Sequence, residues 1–265
     1  TTVQPIVEKA AAEFRKEHPD VQFAIGGGGS SHGVKAAASG EVVIGAASRE
    51  LKESEKTEYP DLVVTTIAED GIAMIVNAKN PVKEITKEQV QAIYTGKITN
   101  WKELGGNDQP IFVVGKEEGH STLELFLEYF DLEAENAGKA GKYSTMVYRK
   151  EGDSEFASVK VLAIGSNSEE IAQVILKPNA IAYVSIGTAE SVAAKSGRIR
   201  LLALDGVEAS VENVANHTYP LRRPLNLLTK GEPQGIVKQF IDFMLGKQGQ
   251  QVVVDQEFVS VTDEL

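Results

Sequence analysis

With 265 residues, 42% of them hydrophobic and 25% charged, the chain has the length for one large or two medium globular domains. It has no cysteine, which excludes disulfides, thiolate metal sites and a cysteine nucleophile. Its net charge of −11 argues against a nucleic-acid partner, whose binding rests on clustered Lys and Arg, and no apolar run approaches the roughly 20 residues of a membrane-spanning helix.

The opening Thr1-Thr2-Val3-Gln4-Pro5 shows no signal peptide and reads as an internal stretch, so a leader and a first strand are expected ahead of it. Residues 4–18 put Ile6, Val7, Ala10, Ala11 and Phe14 on one face, with Pro5 in the first turn and Pro19 beyond the end. That pattern predicts an amphipathic helix. An apolar strand is expected over 21–25. It runs into Gly26-Gly27-Gly28-Gly29-Ser30-Ser31-His32-Gly33, and a helix follows through 34–38, stopped by Gly40. A glycine-rich turn that opens a helix presents free N–H groups at the positive end of the helix dipole, admits a ligand close to the backbone, and adds serine donors. The run is therefore a candidate anion site, with a flexible surface loop as the alternative. Strands are expected at 41–45 and 62–66. The second leads through an Asp70-Gly71 turn into 72–77, which is apolar on both faces as a buried strand should be.

Thr86-Lys87-Glu88-Gln89 spells a capping box for a helix that ends at Gly96. A strand at 111–114, a loop at 115–120 and a helix at 121–130 repeat the strand–loop–helix chemistry. Residues 131–160 are polar and weakly patterned and read as an irregular excursion. Ser168-Glu169-Glu170 starts a helix that ends near Pro178; strands are expected at 180–186, 198–204 and 225–229, and helices at 234–245 and 248–256. Strands alternating with helices imply an α/β fold with mainly parallel sheets, in which ligands lie beyond the carboxyl ends of strands. His18, His32, His120 and His217 show no metal-ligand spacing, so no metal site is expected.

Several segments, in order, resemble the phosphate-binding proteins of bacterial ABC importers, the PstS-like solute-binding family. They are Thr1-Thr2-Val3-Gln4-Pro5, the glycine turn at 27–33, Ile44-Gly45-Ala46-Ala47-Ser48-Arg49-Glu50-Leu51, Asp70-Gly71-Ile72-Ala73, and Tyr94-Thr95-Gly96-Lys97-Ile98-Thr99-Asn100-Trp101. Near the end come Tyr219-Pro220-Leu221-Arg222-Arg223-Pro224-Leu225, Thr229-Lys230-Gly231-Glu232-Pro233 and Phe240-Ile241-Asp242-Phe243. The resemblance covers nearly the whole chain. It implies a two-lobed α/β class II periplasmic-binding-protein fold with hinge strands. Lobe one would be residues 1–76 and 187–265, and lobe two residues 77–186. It implies capture of inorganic phosphate, or a related small oxyanion, between the lobes, and delivery to an ABC permease in the membrane. A monomer with no cofactor and no enzymatic activity is expected, periplasmic or extracellular, with or without a lipid anchor.

The ligand set implied by the resemblance is Thr1, Thr2, Ser30 and Ser31, then Ser48 and Arg49, and from the fourth loop Lys116, His120, Ser121 and Thr122. Asp70 is the candidate carboxylate. It would accept a proton from the bound oxyanion, which fully ionised sulfate cannot donate. The bland alternatives are a helix cap with a surface salt bridge for Ser48-Arg49, a turn or an ion pair with Arg49 for Asp70, and an ordinary N-cap for Ser121-Thr122. The fourth loop departs from the family's Arg-x-x-Gly-Ser-Gly-Thr, reading Lys116-Glu117-Glu118-Gly119-His120-Ser121-Thr122. Lysine lacks the planar fork that matches two oxygens, and the lost glycine puts a Cβ where backbone would meet the ligand. A sensing or adhesive extracytoplasmic module with altered or lost phosphate binding is the second reading. A Ser-His-Asp enzyme is the third, on residues too common to mean anything without geometry.

Overall fold

The computed structural model describes residues 2–262. Helix α1 (Gln4–Phe14) has Pro5 in its first turn and buries Ile6, Ala10, Ala11 and Phe14. Residues 21–29 pair with no strand. Their burial alternates as in a strand, with Phe23 and Ile25 packed on the core and Gln22 and Ala24 exposed, yet residues 22–27 make no backbone hydrogen bond among the described residues. The strand expected there has the side-chain period of a strand without its ladder. Helix α2 (Ser30–Ser39) begins inside the glycine run and stops at Gly40, whose φ is 80°. The strand expected at 41–45 is displaced: residues 41–44 bend with Val43 72% exposed, and β1 is Gly45–Ala47. Helix α2 lies so close to β1 that a Cβ on Gly33 would overlap the carbonyl oxygen of Ala46, and one on Gly45 that of Gly33. Helix α3 (Glu53–Glu58) follows.

Strand β2 runs unbroken for 16 residues, Leu62–Asn77. The turn expected at Asp70-Gly71 is absent because both positions are buried in the strand. Gly71 serves close packing instead, since a Cβ there would come within 2.8 Å of Val214. Then come β3 (Glu84–Ile85) and α4 (Lys87–Tyr94), whose cap Thr86 and residue Gln89 bond reciprocally as the capping box predicts. Next are β4 (Phe112–Lys116) and α5 (Ser121–Tyr129). The excursion expected over 131–160 is largely a hairpin of β5 (Leu132–Ala140) and β6 (Tyr143–Lys150). Its outer strand is mostly exposed, so its sequence carries little apolar pattern, and Gly138 and Gly141 take φ of 104° and 62° at the bulge and turn. The remaining elements are β7 (Val161–Ile164), α6 (Asn167–Leu176), β8 (Ala180–Ser185), α7 (Ile186–Ser196), β9 (Ile199–Leu201), β10 (Ala203–Leu204), α8 (Val211–Ala215), β11 (Arg222–Lys230), α9 (Gly235–Leu245) and α10 (Lys247–Asp255).

The chain forms two compact units, Thr1–Asp70 with Arg223–Leu265, and Gly71–Arg222. The lobes implied by the resemblance divide it elsewhere: residues 71–76 and 187–222 pack in the second unit. The pairing explains this. Residues 72–77 of β2 pair antiparallel with β8 and β9, and β10 pairs with β3.

In the first unit β1 pairs antiparallel with β11, and Phe14, Ile67, Phe240 and Met244 anchor a core under α1, α9 and α10. Buried Gln250 closes it by donating to the carbonyls of Ile67 and Met244, both at 2.9 Å. A groove of about 550 Å³ runs beside residues 21–29, lined by Val3, Phe23, Ile25, Leu227 and Phe240 among others.

In the second unit β4 is parallel to both β7 and β8, whereas β6 is antiparallel to β5 and β7. The sheet is therefore mixed, and the mainly parallel expectation is corrected. The β5–β6–β7 meander and the pairing of β2 with β8 and β9 supply the antiparallel pairs. Phe126 and Tyr183 stack at 3.8 Å in its core. The Tyr148 and Tyr183 hydroxyls meet at 2.9 Å, and Tyr94 donates to the Val114 carbonyl.

Candidate functional site

In the first unit the candidate residues gather into two clusters; Thr1 lies outside the described residues. The first cluster stands where α2 begins. Ser30 accepts a hydrogen bond from the Ser48 N–H at 3.0 Å, and the two hydroxyls are 3.3 Å apart. The glycine run and the Ser48 segment, far apart in sequence, thus meet directly. Arg49 grips Glu55 with both guanidinium nitrogens, at 2.7 and 3.1 Å, and also donates to Ser31. This pair keeps the Glu55 carboxyl below its usual range, against the opposing effect of partial burial. Residues 29–33 also spell Gly-Ser-Ser-His-Gly, the letters of a nucleophile elbow. An elbow needs a strand before its serine; here Ser31 sits in the first turn of a helix that no paired strand precedes.

The second cluster is deeper. Asp70, 2% exposed on β2, accepts a hydrogen bond from Nε of Arg223 on β11 at 3.2 Å. Arg223 Nη2 donates to Thr2 Oγ1, also at 3.2 Å, and Thr2 immediately precedes the cap of α1. That cap, Val3, offers no side-chain acceptor, and the first turn of α1 holds no acid. Asp70 and Thr2 are thus two acceptors on one guanidinium. Sequence reasoning passed over Arg223. The signal was an arginine at the head of a strand whose following residues, Leu225, Leu227 and Leu228, are fully apolar and buried.

In the second unit, His120 caps α5 and is exposed, while Ser121 and Thr122 form its first turn with Thr122 buried. The opening N–H groups of such a helix have no acceptor within it and present donors. Partial burial, then the nearby Lys116 charge, lower the His120 pKa. Lys116 itself is 2% exposed; its ammonium lies 2.6 Å from Glu170 and 3.0 Å from the Asn167 side-chain oxygen. Asn167 in turn donates to Ser185. The clue to Glu170 was its spacing on α6, four residues before buried Val174. Among the described residues no group of three His, Asp or Glu could hold a metal, and no helix is long and apolar enough to cross a membrane.

Comparison with known proteins settles the kinship. A family model described as a PBP superfamily domain matches residues 1–248. The phosphate-binding protein PstS of Bacillus subtilis is 34% identical over 264 residues, 99% of this chain and 79% of that protein. The chain belongs to the PstS family of solute-binding proteins. Another PstS, from Borreliella burgdorferi, is 26% identical over 98% of this chain and 88% of its own length. An ABC-type phosphate transport receptor from Vibrio cholerae shares the fold with a TM-score of 0.74 at 30% identity, covering 98% of this chain and 96% of the receptor. A Clostridium perfringens chain solved with bound phosphate is 37% identical over the same shares, with a TM-score of 0.59. Against the PstS pattern, the fourth-loop lysine stands out as the position whose charge this chain spends inside its own fold.

Proposed function

We propose that this protein captures inorganic phosphate outside the cytoplasm and delivers it to an ABC permease, with no chemistry performed on the ligand. It acts as a monomer without metal, cofactor or nucleic-acid partner, lipid-anchored or free. The observation that carries the reading is buried Asp70 held by the Arg223 guanidinium, which also donates to the Thr2 hydroxyl oxygen, in the first unit. A carboxylate in that setting repels a fully ionised anion and accepts a hydrogen bond from a protonated one. Thr2, Ser30, Ser31 and Ser48 supply hydroxyl donors in the first unit, and Ser121 and Thr122 open α5 in the second. The curated relatives named PstS phosphate-binding protein support the same ligand.

Calorimetry and thermal shift with phosphate, arsenate, methylphosphonate and sulfate test this. Phosphate at 100 times its Kd is expected to stabilise the protein by about 2.7 kcal/mol, and sulfate at the same concentration far less. No response to any of the four ends the transport reading and favours a sensing or adhesive module. Arg49 provides a second measurement. Its guanidinium is committed to Glu55, so Arg49→Ala is expected to weaken phosphate binding by less than tenfold, under about 1.4 kcal/mol. A larger loss makes Arg49 a principal ligand cation.

A further inference from the structure

Arg223 is 5% exposed, and it donates to two candidate ligand residues, Asp70 and Thr2. A buried arginine–aspartate pair is a poor way to stabilise a fold, because desolvating the two charges offsets most of their attraction. The buried positions further along β11 hold leucine or small uncharged polar residues, Asn226 and Thr229, so Arg223 is the one buried charge of the strand. Arg222, next along, is only half-buried, so the deep arginine is not a consequence of solvent reach. Thr2, beside the uncapped start of α1, adds a hydroxyl and places the positive end of a helix dipole next to the same guanidinium. The guanidinium and the helix start both carry positive charge into this cluster, which suits an anion.

We infer that Arg223 is the first-unit guanidinium that grips the phosphate, oriented by Asp70 and Thr2, with Arg49 fixed to Glu55 beside it. The inference rests on the phosphate reading above. Arginine suits this task because its planar fork meets two oxygens of a tetrahedral anion at once, which a lysine cannot do. The arrangement also divides the labour of recognition. Arg223 takes the charged oxygens, and Asp70, already held by Arg223, faces the protonated one.

The alternative is a structural ion pair, and three variants separate the two: Arg223→Gln, Arg223→Lys and the double variant Asp70→Asn/Arg223→Gln. Phosphate affinity and the ligand-free Tm are measured for each beside the parent protein. Arg223→Gln is expected to lose at least 50-fold in phosphate affinity. Arg223→Lys keeps the charge and the pairing, so its Tm is expected to stay near the parent's while affinity falls at least tenfold. The double variant removes both charges of the pair; its Tm is expected to return toward the parent's with no recovery of phosphate binding. If the parent binds phosphate and the double variant or Arg223→Lys binds it within threefold of the parent, the pair is structural and this inference falls while the phosphate reading stands. If the parent does not bind phosphate, both fall.

Discussion

Lys116→Met is expected to lower the Tm by on the order of 10 °C, the largest loss of stability from any single change described here. Lys116 and Glu170 are 2% and 0% exposed, and above pH 8, where Glu170 is ionised, removing one partner of such a pair costs about 3–5 kcal/mol because the other charge is left buried and unpaired, so this Tm is measured at pH 9. In a chain of this length each kcal/mol moves the Tm by roughly 2–4 °C. The ammonium approaches one Glu170 oxygen at 2.6 Å but off the hydrogen-bonding direction, and neither carboxylate oxygen has an aligned donor. Burial accordingly pushes the Glu170 carboxyl up to about 8, with the Lys116 charge opposing the rise. The sign for pH follows. A carboxyl that binds its proton more tightly in the folded state favours folding fully below its ordinary value near 4.5, and this contribution is lost as pH rises toward 8. Stability is thus expected to decline from pH 5 to pH 8, and Glu170→Gln to flatten that decline. The double change Lys116→Met/Glu170→Met should recover most of the lost Tm. If Lys116→Met keeps the parent's Tm and instead weakens phosphate binding, the lysine charge belongs to the ligand.

Gly33→Ala is expected to destabilise the first unit by about 3 kcal/mol or more, the scale of forced overpacking at its upper end. The sign is the test. Gly33 lies within α2, where helix propensity alone favours alanine over glycine by about 1 kcal/mol. The added Cβ would overlap the Ala46 carbonyl oxygen, which is backbone and cannot rotate aside. Helix α2 would have to move off β1, and the Ser30–Ser48 contacts would open with it. Phosphate affinity should fall in the same variant. Gly29→Ala is the control: Gly29 has φ of −78°, and a Cβ there would meet no atom within 4 Å, so its Tm should hardly change. A Gly33→Ala protein as stable as the parent would mean that α2 and β1 do not sit this close.

Local chemistry announced much of the architecture. Thr86 and Gln89 mark the start of α4 in sequence and bond as expected in space; Pro5 and a spaced apolar face announce α1; the apolar run beginning at Ala180 announces β8. Features that rest on distant partners were hidden. Asp70-Gly71 looks like a turn until Arg223 and Val214, about 150 residues on, are seen to hold it in a strand. The β5–β6 hairpin carries little apolar period because its outer strand faces solvent. The candidate site was legible in the same measure. The motif residues Ser30 and Ser48 do meet, but only through long-range packing, and the destinations of the Lys116 and Arg223 charges cannot be read from their neighbours in the chain.

Val43 also bears on how the protein behaves in a concentrated tube. It is 72% exposed beside Val42 at 38%, so two branched apolar side chains face water together. Copies of a protein meet through apolar surface of this kind, and a lysine in place of Val43 would replace it with a charge at little disturbance to the core.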